Sequence, residues 1–284
     1  MKKLSKKEND NTIFKLKSVA RIFILLLLFF CKLNSSTVGC IANDTIPQPA
    51  NLLDLQGNIN KINNTAGLAT IKNKIRRQDS GFKVIKVLHI GDSHIKAGFF
   101  SETFINKLNE YYGESYGRNI FFNGQSFCKT GTKYSDYAEL AELDKQLIRD
   151  KPDLVIISLG TNDAFSGSSR TQFYNKVDHL VNKIKTLSPA SALLFTTPPD
   201  ALKKNKRTGI YEVLPDLQYV VSVIVQYAND HHLTYWNLHQ VMGGNYSINT
   251  WVVKKLAAAD RIHFTPKGYT VIGEMLFEAL KNCL

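Results

Sequence analysis

Five apolar runs of strand length, 84–90, 119–123, 154–159, 192–197 and 233–238, recur along the C-terminal part of this 284-residue chain. Stretches with helical period separate them. The clearest is 171–187, where Phe173, Val177, Leu180, Val181, Ile184 and Leu187 fall on one face. Others lie near 98–112, 136–149, 216–230 and 267–282. Strands that alternate with helices predict an α/β fold with a parallel sheet of about five strands, covered on both faces. In such sheets the working residues gather at the carboxyl ends of the strands. There is no internal repeat and no low-complexity tract, and the length fits one domain with an extension.

The extension is N-terminal. Residues 1–34 hold eight Lys/Arg and two Asp/Glu, so they carry +6 of the chain's net +12. The basic stretch precedes Ile22–Phe30, an apolar run shorter than the ~20 residues of a membrane span but of signal-core length. Residues 1–42 are therefore read as an export signal or membrane anchor. Gly39-Cys40 can be read as a lipidation site, with simple cleavage or an uncleaved anchor as the alternatives. Residues 43–79, rich in Asn, Gln, Thr and Lys, read as a linker or loosely packed arm, and 80–284 as the folded domain. An exported protein, periplasmic or attached to the cell envelope, is the expectation. The remaining +6 is widely spread, which gives no reason to expect a nucleic-acid partner. Its longest cluster, Lys203-Lys204-Asn205-Lys206-Arg207, reads as a solvated loop. Four cysteines, at 31, 40, 128 and 283, include no Cys-x-x-Cys pair, so a zinc ribbon or thioredoxin-like centre has no support. Cys128 and Cys283 read as buried free thiols, with pairing after export as the alternative.

The first strand runs straight into Gly91-Asp92-Ser93-His94. A glycine there permits a sharp turn, and the following helix start offers free N–H groups beside Ser93. A serine becomes a nucleophile only when a base takes its proton. Of seven histidines, His89 lies within the strand and reads as core. His179 falls on an amphipathic helix, and His231, His232 and His239 flank the last strand. His94 adjoins the serine, but neighbouring side chains diverge. His263 differs, because it follows Asp260 by three residues and precedes Thr265-Pro266, a helix cap with proline at the first helical position. A carboxylate at that spacing can fix the imidazole tautomer, as in any serine triad. Ester cleavage also needs oxyanion donors, each lowering the barrier by ~3–4 kcal/mol. Asn162, in Gly160-Thr-Asn-Asp163 after the third strand, supplies an amide. Gly131, after the second, can bring a backbone N–H close.

In this order, these blocks resemble the SGNH (GDSL-type) hydrolase family across roughly 83–284. Gly91-Asp92-Ser93 looks like its first block, Gly131 like the second-block glycine, Asn162 like the third-block asparagine, and Asp260-x-x-His263 like the last. The resemblance implies a three-layer α/β/α sandwich with a flavodoxin-like sheet and no metal or cofactor. It implies Ser93 as nucleophile, His263 and Asp260 as its triad partners, and an oxyanion hole from Ser93, Gly131 and Asn162. Two features depart from the family pattern: His94 stands where leucine is common, and Thr130 precedes Gly131 where asparagine is usual. Gly124, in Asn123-Gly124, is the rival second-block glycine. His89–Ala97, Thr196-Thr-Pro-Pro-Asp200 and Met242-Gly-Gly244 are similar to exported members that act on acetylated carbohydrates.

A general α/β-hydrolase would need Gly-x-Ser-x-Gly, but residue 95 is Ile and no other serine fits. A metallophosphoesterase could use Asp92 and His94, yet its Gly-Asn-His and His-x-His stretches are missing. A non-catalytic carbohydrate-binding module would give no reason for Ser93, Asn162, Asp260 and His263 to occur together. The expectation is a serine esterase that removes O-acetyl groups from an envelope or other glycan. The alternatives are an O-acetyltransferase using the same triad and a lipase or lysophospholipase-type acylhydrolase. An acyl pocket edged by Phe165 or Cys128 is expected.

Overall fold

A computed structural model describes residues 59–77, 81–115 and 119–284. The readings of 1–42 as signal or anchor and of Cys40 as a lipidation site lie outside the described residues, as do residues 43–58. No helix among the described residues is long and apolar enough to cross a membrane.

All five apolar runs become strands of one sheet. They are β2 (Lys83–Gly91), β3 (Ile120–Cys128), β4 (Leu154–Ser158), β5 (Ala192–Thr196) and β8 (Thr234–Trp236). A sixth, β1 (Ile62–Asn63), pairs antiparallel with β8, and the order is β1-β8-β5-β4-β2-β3. Numbered among themselves, the five parallel strands run 2-1-3-4-5, the flavodoxin-like order. Its switch point lies between β2 and β4, where a ligand crevice opens at the strands' carboxyl ends.

Both sheet faces are apolar because successive residues of the central strands, which point to opposite faces, are mostly apolar. Ile85, Val87, Leu154, Ile156 and Leu194 face one core. That core is closed by α1 (Ala69–Arg76), α3 (Phe99–Ser115) and α10 (Pro266–Leu280). Leu88, Ile90, Val155, Ile157 and Phe195 face the other. It is closed by α4 (Tyr134–Ala138), α5 (Ala141–Asp150), α6 (Arg170–Leu187) and α7 (Leu217–Asp230). On α6 the stripe Phe173, Val177, Leu180, Val181 and Ile184 is buried as its spacing predicts.

Three details differ from the sequence reading. Residues 59–77 are part of the domain rather than a linker ahead of it. Leu68, Ile71 and Ile75 enter the core, and Trp236 Nε1 donates to Asn60 Oδ1 at 2.8 Å while Asn60 Nδ2 donates to the Met275 carbonyl at 2.9 Å. The expected helix at 136–149 is two helices, broken at Glu139-Leu140, where no glycine or proline marks the break. The basic cluster at 203–207 is solvated as expected, but it belongs to a hairpin of β6 (Leu202–Lys204) and β7 (Tyr211–Val213), with 205–207 in its turn. Cys128 and Cys283 are free, half-buried thiols.

Candidate active site

β2 ends at Gly91 because the chain must fold back tightly. A Cβ at Gly91 would stand 2.0 Å from Ile95 Cγ1 and 3.2 Å from the Ser158 carbonyl of β4. Asp92 caps α2 (Ser93–Lys96), its Oδ1 accepting from the His94 N–H at 3.0 Å. Ser93 is the first residue of that turn and is half-buried.

Opposite it, the loop before α10 is built around Asp260. Oδ1 accepts from the Ile262 and His263 N–H groups at 2.9 and 3.0 Å, and Oδ2 accepts from His263 Nδ1 at 2.8 Å. The loop is pinned by a bridge between Ala257 and Phe264 and by the Ala258 N–H donating to the His263 carbonyl. Thr265 then caps α10, accepting from the Gly268 N–H, with Pro266 at its first position. Because Nδ1 carries its proton toward a carboxylate, Nε2 presents its lone pair to Ser93 Oγ, 3.1 Å away. Burial by itself would push the Asp260 carboxyl up. The His263 ring and the two backbone N–H groups outweigh it and hold the carboxyl below its usual range. The carboxylate thus stays ionised, as a partner for an imidazolium must.

The third group of residues closes the site from the β3 and β4 side. Asn162 Nδ2 donates to Asp92 Oδ2 and to the Thr132 carbonyl, both at 3.0 Å. The Tyr137 hydroxyl donates to the Gly91 carbonyl at 2.6 Å and accepts from the Lys129 N–H at 2.9 Å. The ends of β2, β3 and β4 are therefore laced together. Gly131 sits in this loop at φ +79°, a conformation that favours glycine, and a Cβ there would meet nothing within 4 Å. Gly124 lies within β3, opposite Val87 and against Ile105, so it is Gly131 that adjoins Asn162. Both Asn162 amide hydrogens have acceptors in the resting site. An oxyanion would have to draw one of them away from Asp92 or Thr132.

His94 is buried behind His263, ring centroids 5.4 Å apart, and its Nδ1 meets the Tyr269 hydroxyl at 3.1 Å. Burial lowers its pKa, so the ring is neutral near pH 7. Its Nε2 is buried with no partner, beside a narrow apolar cavity that Thr161, Thr197, Pro198, Phe264 and Tyr269 also line. Neither Ser93 nor His263 lines that cavity, and neither do Phe165 and Cys128, so it is a separate space from the expected acyl pocket. Of the other histidines, His89 is core, bonded to Ser158 Oγ and Ser101 Oγ and held neutral by burial, its pKa lowered to about 3. His179 pairs with Glu139 on the surface, and His231 stacks on Tyr227. Among the described residues no three His, Cys, Asp or Glu side chains form a metal-binding cluster. Sequence reasoning missed the parts played by Asp92, Tyr137 and Tyr269. Asp92 was visible in its motif; the two tyrosines carried no signal beyond an apolar helix face.

Known proteins resemble this chain in family profile and in fold. The profile of the GDSL-like lipase/acylhydrolase family matches residues 89–271, well over half of the chain. No curated protein matches the sequence. Solved structures share the fold. A peptidoglycan O-acetylesterase is 17% identical, with 78% of this chain and 97% of that one covered at a TM-score of 0.66. An acetyl xylan esterase is 19% identical, covered 69% and 100%, at 0.52. A two-domain esterase active on acetylated mannans is 18% identical, covered 76% and 54%, at 0.52.

Proposed function

The chain belongs to the GDSL-like lipase/acylhydrolase family and is an ester hydrolase, and from that premise we propose that it removes O-acetyl groups from a carbohydrate through an acyl-enzyme on Ser93. The observation that carries the reading is the unbroken chain Ser93 Oγ–His263–Asp260, at 3.1 and 2.8 Å. Ser93 attacks the acetyl carbonyl, and His263 Nε2 takes its proton. The negative charge on the former carbonyl oxygen is met by the Ser93 and Gly131 N–H groups and by Asn162. His263 returns the proton to the departing sugar oxygen. Water, deprotonated by His263, then attacks the acetyl-serine and frees acetate. Asp260 holds the His263 tautomer and faces the imidazolium.

A carbohydrate substrate is supported by the openness of the triad. The His263 and Asp260 side chains are 42% and 46% exposed, so a polymer can lie across them. The names of the like-folded esterases point the same way. We place the protein outside the cytoplasm, on the reading of residues 1–42. The test is acetate release from O-acetylated peptidoglycan and acetylated xylan by the full chain and its Ser93→Ala variant. Release by the wild type alone supports the reading. Cleavage of a small acetate ester without release from any acetylated glycan contradicts the substrate assignment.

A further inference from the structure

We infer that the β6–β7 hairpin is a recognition element for a carboxylate-bearing glycan, so that the O-acetylated substrate is an anionic polymer. This rests on the glycan-esterase reading and narrows it.

Lys203, Lys204, Lys206 and Arg207 place four cations in five residues, and all four are exposed. None of them is in an ion pair among the described residues, whereas Lys74, Lys107, Arg149, Lys183 and Lys281 each have a carboxylate partner. Glu212 is the acidic residue opposite Lys203 in the hairpin register, and its Oε1 accepts from Asn205 Nδ2. Like charges held this close repel one another, and an anionic partner relieves that repulsion.

A merely solvated loop would have no fixed relation to the catalytic residues. This hairpin is fastened to the triad loop itself. The Leu202 N–H donates to the Arg261 carbonyl at 2.9 Å, and the Tyr211 hydroxyl donates to the Ala259 carbonyl at 3.3 Å. The Arg261 guanidinium lies 3.7 Å from the Tyr211 ring centroid, and its Nε donates to Asn249 Oδ1. Arg261 lies between Asp260 and His263 in the chain, so the cations stand at one rim of the site. Lys203 Nζ reaches 6.0 Å from the ring of Phe165, which is 45% exposed and follows Asn162 by three residues. An ammonium and an open aromatic face thus meet beside the site. The ring suits the face of a sugar and the ammonium suits a carboxylate. A neutral xylan or mannan would use the ring and leave the cations idle. Two sources supply the same chemistry: uronic acids in the polymer backbone, and carboxylates of peptides attached to a glycan.

The experiment has a binding arm and a turnover arm. In the first, the full chain carrying Ser93→Ala is titrated with polygalacturonate, with solubilised peptidoglycan fragments and with neutral mannan. In the second, acetate release is followed on O-acetylated forms of the same three polymers, for the wild type and for a Lys203→Gln/Lys204→Gln/Lys206→Gln/Arg207→Gln variant shown to be folded by circular dichroism. We expect tighter binding to a carboxylated polymer than to mannan. Polygalacturonate and peptidoglycan fragments distinguish the two carboxylate sources. The wild-type anionic-to-neutral ratio of kcat/KM should fall about tenfold or more in the variant and lose its dependence on salt. Equal binding of neutral and anionic polymers, or an unchanged ratio in the variant, overturns the inference while leaving the esterase reading intact. Preferential binding to a carboxylated polymer, with no acetate released from any polymer, keeps the hairpin as a carboxylate-glycan recognition element but removes the glycan-acetylesterase reading, and with it the assignment of the substrate. Retention on vesicles of anionic phospholipid, with none on any polysaccharide, overturns it in favour of a membrane.

Discussion

Tyr269→Phe removes one hydroxyl from behind the catalytic histidine, and its cost can be worked out from the partners. The hydroxyl meets His94 Nδ1 at 3.1 Å, and the Phe264 N–H also faces it. His94 Nε2 already lacks a partner. Without the tyrosine oxygen, both ring nitrogens of a buried imidazole go unpaired, which costs about 1–3 kcal/mol. For a domain of this size that lowers Tm by about 2–4 °C per kcal/mol. His94→Leu removes the other partner and should cost a similar amount. Joining the two changes replaces a polar pair by apolar groups, which is far less costly than breaking the pair from one side. The double variant should therefore be more stable than the summed single losses predict, with a coupling of about 1–2 kcal/mol. The His94 ring packs 5.4 Å from that of His263, so loosening it also disturbs the base. If about 1.4 kcal/mol of that support reaches the Ser93–His263 contact, kcat for 4-nitrophenyl acetate falls roughly tenfold, with KM little changed. Urea unfolding at pH 8, where His94 is neutral, measures the stability cycle; initial rates measure kcat. Strict additivity, with coupling under about 0.5 kcal/mol, would refute the reasoning.

Other outcomes follow from single contacts. Gly91→Ala drives a methyl group into Ile95, so it should cost about 1–3 kcal/mol and move Ser93, lowering kcat more than KM. Asn60→Ala leaves the buried Trp236 N–H unpaired, and chemical denaturation should show a loss of about 1–3 kcal/mol although residue 60 is far from the triad in sequence. Burial raises the Asp163 carboxyl to about 7, against the Tyr134 N–H, Lys176 and Lys133, with Asp136 adding to the rise. The folded state therefore holds a proton that the unfolded state releases near pH 4. Stability conferred by this group is present at low pH and lost as pH rises through about 7. Asp163→Asn should gain on the wild type by a few kcal/mol between pH 4 and 7, then run parallel to it; a difference that is flat with pH would contradict this.

The parallel sheet was legible because each central strand is a continuous apolar run. The triad constellation was legible because its parts lie at strand ends or at a helix cap, where local spacing carries geometry. Asp260 and His263, three apart before Thr265-Pro266, are such a case. The edge strand and α1 were not legible. Leu68, Ile71 and Ile75 have helical spacing, but they are diluted by lysines and asparagines that read as linker. The hairpin was hidden for a similar reason, since three-residue strands separated by the six residues 205–210 are too short to show alternation. The lacing of Asn162 to Asp92 and Thr132 joins residues 70 and 30 positions apart, a tertiary fact that no local pattern reports.

The most direct measurement is the mass of the intact protein after reaction with diethyl 4-nitrophenyl phosphate, followed by peptide mapping. One diethylphosphoryl adduct is expected, on Ser93, absent from Ser93→Ala and formed far more slowly in His263→Ala. An adduct on another residue, or a Ser93→Ala protein that still cleaves acetate esters at the wild-type rate, would contradict the assignment of Ser93 as nucleophile.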